Sequence, residues 1–269
     1  MVGTVAQLWR YPIKSMLGEQ VSEAEVTERG LAGDRRWAIV DQVTGKIASA
    51  KTPRLWRALL TCRGTAGPDG AVILGPGGRP LDDAGLAELV GRPVRLADTP
   101  PPGASLDRSK PDQVLAQGLD AEVDADVVHF GSAAPAGTFF DFAPIHVLTT
   151  STLRSVAALS PRTAIEVERY RPNLVVDTPG PGFPEHAWVG SDLRIGDEVV
   201  LRVIASTPRC AIPTLAHGEL PRDISALRVL AGHNRVPALP GRDPEPCAGV
   251  YAQVVVPGWV RPGDHVVVA

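Results

Sequence analysis

Apolar residues along this chain fall in short runs broken by Gly, Pro and Asp, the spacing of strands rather than of long helices. Runs over residues 2–9, 21–27 and 37–40 read as strands, and 2–9 is expected to pair with 21–27 across the loop Tyr11-Pro12-Ile13-Lys14-Ser15-Met16-Leu17-Gly18. Pro68-Asp69-Gly70 reads as a turn into a strand over 71–74. Leu86, Leu89 and Val90 stand at helical spacing behind a cap at Asp82 or Asp83, with Gly91 as the stop. After a strand over 94–97 the pattern lapses: Thr99-Pro100-Pro101-Pro102-Gly103 opens a polar segment to 124 that reads as a linker or mobile insertion.

Periodicity returns with strands over 127–130 and 145–148, then a helix capped by Thr150 or Ser151 and carrying Leu153, Val156 and Ala157. A strand over 174–177 follows, then a hairpin of 192–195 and 199–204 turning at Gly196-Asp197. A helix over 223–233 and strands over 249–256 and 265–268 finish the chain. The expected class is mainly β with a few short helices, a β-rich α+β fold. Its parts are an N-terminal barrel-like domain over 1–98, the 99–124 segment, and a second β-barrel over 125–269.

Composition agrees, since 27 Gly and 26 Pro with only 5% aromatics fit many short elements joined by turns. Balanced charge, 27 basic against 30 acidic residues for a net −3, excludes the global positive field that nucleic-acid binding needs, so any anion site must be local. No stretch approaches the ~18 apolar residues of a membrane span, and the first residues lack a signal-peptide pattern, which points to a cytoplasmic protein. Cys62, Cys210 and Cys247 are widely spaced and form no zinc, iron–sulfur or disulfide pattern.

Candidate chemistry gathers at Thr207-Pro208-Arg209-Cys210-Ala211-Ile212-Pro213-Thr214. Two prolines stiffen this loop, and the Arg209 cation favours the thiolate, the form that attacks electrophiles or binds soft metals. Taken alone, a single cysteine is more often a small buried hydrophobe. Lys14-Ser15 sits in a loop, Arg35 and Arg36 enter a strand beside Asp34, which can pair with Arg35, and Arg171-Pro172-Asn173 leads into another strand. His217, seven residues past Cys210, titrates near neutrality and could donate a proton; an exposed loop histidine is the plainer reading.

Six of these stretches resemble, in order, those of MOSC-domain proteins that carry the family's N-terminal β-barrel domain. That group includes the mitochondrial amidoxime-reducing component and related bacterial molybdenum enzymes. The matching stretches are Tyr11-Pro12-Ile13-Lys14-Ser15, Gly33-Asp34-Arg35-Arg36-Trp37, Asp141 with Pro144, Arg171-Pro172-Asn173-Leu174-Val175-Val176, Arg209-Cys210, and Gly249-Val250-Tyr251 with Gly263-Asp264. The resemblance implies a molybdenum cofactor (molybdopterin) whose metal is bound by Cys210. Lys14, Ser15, Arg35, Asp141, Arg171 and Asn173 match cofactor-binding positions, Asn173 meeting the pterin edge or orienting Arg171. It also implies reduction of small N-oxygenated substrates such as hydroxylamines or amidoximes, with electrons from a separate donor protein.

Departures from the family pattern are Pro208 before the Arg-Cys pair and the segment 214–223 after it, so substrate preference does not carry over. Two other functions remain open at this stage, a carrier of the cofactor without turnover and persulfide transfer through Cys210. Geometrically, the cofactor reading requires Arg35, Arg171 and the Cys210 sulfur to face one cleft between the two parts of the chain.

Overall fold

A computed structural model describes residues 1–67, 70–130, 133–162 and 164–269; the turn expected at Pro68-Asp69 lies outside these. Its core is a closed barrel of seven strands. Strand Ile145–Thr149 pairs in parallel with Leu174–Asp177, which pairs antiparallel with Gly3–Arg10. The ring continues through His265–Val268, Asp192–Ile195, Val199–Pro208 and Pro244–Val256, and closes back on Ile145–Thr149. Alternation builds the interior: Val199, Leu201 and Val203 point inward from one strand. They meet Val5, Leu8, Val147, Leu174, Leu193, Val250 and Val266 from the others, all at most 1% exposed. Closure pairs each of the seven strands on both sides.

The first strand departs from its expected pairing. It joins the barrel built by the C-terminal half and, of its expected partner 21–27, meets only Val21, through the three-residue strand Glu19–Val21. The rest of that partner, Ala24–Thr27, pairs with Gly258–Val260 and Gly30–Leu31. Inside the barrel the first strand gains hydrogen bonds along both edges and buries Val5 and Leu8, which a local hairpin would leave half open.

The chain then leaves the barrel through residues 11–18 into a unit with its own core of Ile13, Met16, Ile39, Trp56, Leu59, Ile73 and Leu86. In this unit Ala38–Asp41 pairs with Val94–Ala97, and Arg63–Gly67 with Gly70–Leu74. Helix Asp83–Val90 is capped by Asp82, whose side chain accepts from the Gly85 N–H at 2.8 Å, and stops at left-handed Gly91. Helix Thr150–Leu159 is capped one residue earlier than expected, by Thr149. Among the described residues, no helix is long and apolar enough to cross a membrane.

The 99–124 segment is structured. Ser105–Ser109 pairs antiparallel with Ala125–His129, and helix Pro111–Gln117 lies between them. Leu106 and Val114 are buried, Leu106 in a cluster with Val40, Ile47 and Phe139. Two apolar anchors in a polar, proline-rich background are too sparse to register as periodicity.

Candidate active site

A cavity of about 390 Å³ is lined by Lys14, Ser15, Arg35, Asp141, Arg171, Asn173 and Cys210 together. These residues arrive from well-separated segments. Lys14 and Ser15 follow the first barrel strand, held where the Lys14 N–H donates to Trp37 O at 2.9 Å. Arg171 and Asn173 immediately precede strand Leu174–Asp177, and Cys210 follows Val199–Pro208. Among the described residues, the only non-glycine positions at positive φ are Ser15 (64°), Arg35 (42°) and Arg171 (54°), and all three line this cavity. Such conformations cost on the order of 1–3 kcal/mol each and persist where the surroundings enforce them. Here they do: Ser15 Oγ accepts from the Ala50 N–H (3.1 Å), the Arg35 N–H donates to Tyr11 O (2.8 Å), and Arg171 Nη1 donates to Met16 O (2.6 Å).

Arg35 and Arg171 stack on one phenol ring, their guanidinium carbons 4.6 and 4.3 Å from the Tyr11 centroid. Burial, followed by the Arg35 charge, pushes the Arg171 pKa down to about 10. Two cations so close repel, and an anion between them would relieve both. Buried Asp34 sets the pair from behind: it accepts from the Tyr11 N–H (2.7 Å) and Asn173 Nδ2 (2.9 Å) and is ion-paired to Arg35. Asn173 Oδ1 accepts from the His146 N–H (3.1 Å) and Arg35 Nη1 (3.4 Å). Its amide is thus engaged with protein groups and orients Arg35, while the residue lines the cavity.

Also in the lining, Asp141 bridges Lys14 and Lys51, the latter at 2.9 Å, and Lys14 donates to Phe139 O at 3.0 Å. Burial raises the Asp141 pKa, but the two ammonium groups outweigh it and hold the carboxyl well below its usual range. Burial lowers Lys14 to about 8; Asp141 opposes that shift and Lys51 adds to it. A carboxylate in this position clamps the lysines instead of meeting an anionic ligand itself.

Cys210 is 7% exposed, packed against Ala50, Leu60, Ile212 and Leu215, and faces the cavity. Its neighbour Arg209 donates through Nη2 to Tyr170 O (2.8 Å), while its buried Nε has no partner among the described residues. The other thiols do not line the cavity. Burial raises the pKa of Cys62, and burial with the nearby Glu245 charge pushes Cys247 up to about 12.

His217 is neither an exposed loop residue nor part of the cavity lining. It is 2% exposed, with Nδ1 3.0 Å from Leu215 O, and burial followed by the Arg171 charge takes its pKa down to about 4. The turn Ile212–Thr214 and the pairing of Gly218 N with Leu60 O fold its loop inward. A proton-donor role next to Cys210 has no support from this placement.

Among the lining residues that sequence reading missed are four basic ones, Lys51, Arg108, His146 and Arg242, and the polar Ser49, Ser206 and Glu245. Nothing in the sequence links Lys51 to Lys14, and Arg108 lay in the segment read as a linker. In all, seven arginines and lysines line the cavity against two carboxylates, Asp141 and Glu245. A thiol, a surplus of cations and the unpartnered Arg209 Nε form a donor set suited to an anionic ligand that also carries a soft metal.

Residues 2–82 match the MOSC N-terminal beta barrel domain, and residues 126–267 match the MOSC domain. Mitochondrial amidoxime-reducing component 1 of Mus musculus is 28% identical over 304 residues, covering 98% of this chain and 82% of that protein. Mitochondrial amidoxime reducing component 2 of Homo sapiens is 27% identical over 241 residues, covering 80% and 67%. Among solved structures, the YUAD protein from Bacillus subtilis aligns at a TM-score of 0.47 with 12% identity, covering 99% of this chain and 94% of that one. With both domains matched, the chain belongs to the family of MOSC-domain proteins that carry the MOSC N-terminal beta barrel domain.

Proposed function

We propose that this cavity binds the molybdenum cofactor and that the protein reduces N-oxygenated compounds, amidoximes and hydroxylamines among them, using electrons from a separate donor protein. The supporting observation is convergence. Lys14, Ser15, Arg35, Arg171 and Cys210 are scattered through the sequence, yet they line one cavity of ligand size. Folding alone gives no reason to gather buried cations around a thiol. Relatives named for amidoxime reduction support the choice of reaction.

Lys14, Ser15, Arg35, Arg171 and Arg209 would hold the cofactor's phosphate, and the Cys210 sulfur would bind its metal. When bound, the cofactor supplies the two-electron redox chemistry. Overall, two electrons and two protons turn an N-hydroxyl group into N–H and water. The chain's own share is to neutralise the phosphate, present one thiolate and keep the reacting groups away from bulk water.

Cys210→Ser tests this reading, because an alcohol is a far poorer soft-metal ligand than a thiolate. Reduction of benzamidoxime with an artificial donor is expected to be abolished while the melting temperature stays near wild type. Full turnover with bound molybdenum in Cys210→Ser would contradict the assignment.

A further inference from the structure

Ser206 lines the cavity from strand Val199–Pro208 and is 3% exposed. Its Oγ lies 3.0 Å from Nδ1 of His186, whose Nε2 lies 2.9 Å from Nδ2 of Asn234. The same Nδ2 is 2.7 Å from the carbonyl oxygen of Cys247. That last contact fixes the protons. Turning the amide over would set Oδ1 against a carbonyl oxygen, so the nitrogen belongs there, and its two hydrogens go to Cys247 O and to His186 Nε2.

Nε2 is therefore bare, the neutral ring carries its proton on Nδ1, and Nδ1–H donates to Ser206 Oγ. Burial lowers the His186 pKa against the opposing Glu185 charge, which keeps the ring neutral at pH 7. Ser206 thus spends an acceptor site on histidine, and its own O–H has no acceptor among the described residues. A serine next to a histidine invites a nucleophile-and-base reading, but a base must present a bare nitrogen to the hydroxyl, and this one presents N–H.

We infer that Ser206 is an oriented hydrogen-bond donor to the nitrogen-bound oxygen of the substrate, with Asn234 and His186 as positioning residues that hold its hydroxyl in the donating orientation. This rests on the cavity being the reductase site proposed above. Such a donor stabilises negative charge as it develops on the oxygen during N–O cleavage, and a hydroxyl already held by hydrogen bonds supplies it with little reorganisation. No proton leaves Ser206 in this role.

The test uses oxidised, molybdenum-loaded protein and benzamidoxime. Without reductant, Ser206→Ala is expected to weaken benzamidoxime binding, and with reductant to lower kcat/KM, each by roughly tenfold, at unchanged molybdenum content. Ser206→Thr, which keeps a hydroxyl, recovers most of the loss. Nitrogen-15 NMR is expected to show His186 protonated on Nδ1 in wild type. In Asn234→Asp, where a carboxylate replaces the donating amide, the proton moves to Nε2 and kcat/KM falls as in Ser206→Ala. Equal affinity and kcat/KM in wild type and Ser206→Ala, or a wild-type proton on Nε2, overturns the inference and leaves the reductase reading standing. Wild-type protein that neither retains molybdenum nor binds benzamidoxime overturns both.

Discussion

At the scale of single residues, the site is a set of cations forced together and left partly unanswered. Arg35 and Arg171 share the Tyr11 ring, and both adopt backbone conformations that cost free energy. Lys14 is the member whose charge can be switched in an ordinary buffer. With its pKa lowered to about 8, it is cationic below that pH and neutral above it. Sulfate, whose own charge is constant over this range, is expected to bind the cofactor-free protein less tightly as pH rises through about 8. Lys14→Met is expected to lose that inflection. Calorimetric titration with sulfate at pH 7 and pH 9 reads it directly.

At the scale of elements, close approach of strands sets the limits. Gly249 sits at φ +81° on strand Pro244–Val256, where a Cβ would lie 2.3 Å from His146 Nε2 and 2.6 Å from Val147 O. Gly249→Ala is therefore expected to destabilise the fold by ~2–4 kcal/mol, combining the φ penalty with displacement of a cavity-lining histidine. Urea unfolding measures this. Most elements were legible because their signals are local: alternation over 199–204, the Asp82 cap and Gly91 stop, the hairpin at Gly196. What escaped depended on distant partners. The pairing of Gly3–Arg10 with Leu174–Asp177 spans most of the sequence, and Leu106 and Val114 are too few to mark their segment as folded.

At the scale of the whole molecule, a net charge of −3 coexists with a cavity where cations outnumber carboxylates, so an anion site is invisible to composition. That its members share one site was legible only through the family resemblance. Lys51 and Arg108 could not be attached to it because no spacing rule connects them to Cys210. The protein's acid stability should report two other buried groups. Burial, then the Arg209 charge, takes the His146 pKa down to about 3, and His217 falls to about 4. Both folded values lie below the unfolded ~6.5, so the unfolded chain binds more protons in this window. Stability is fully present above about pH 6.5 and lost as pH falls toward 4. His217→Asn is expected to flatten the upper part of that loss in melting temperature measured from pH 7 to 4.5.

The central claim is that one ligand meets the buried arginines and the thiol at once. The most direct measurement is the molybdenum and pterin content of wild type and Arg171→Ala purified from cells that make the cofactor. Near-stoichiometric molybdenum and pterin in wild type, both lost together in a folded Arg171→Ala, is the expected result. Wild type free of both, or equal occupancy in the two proteins, would contradict the account.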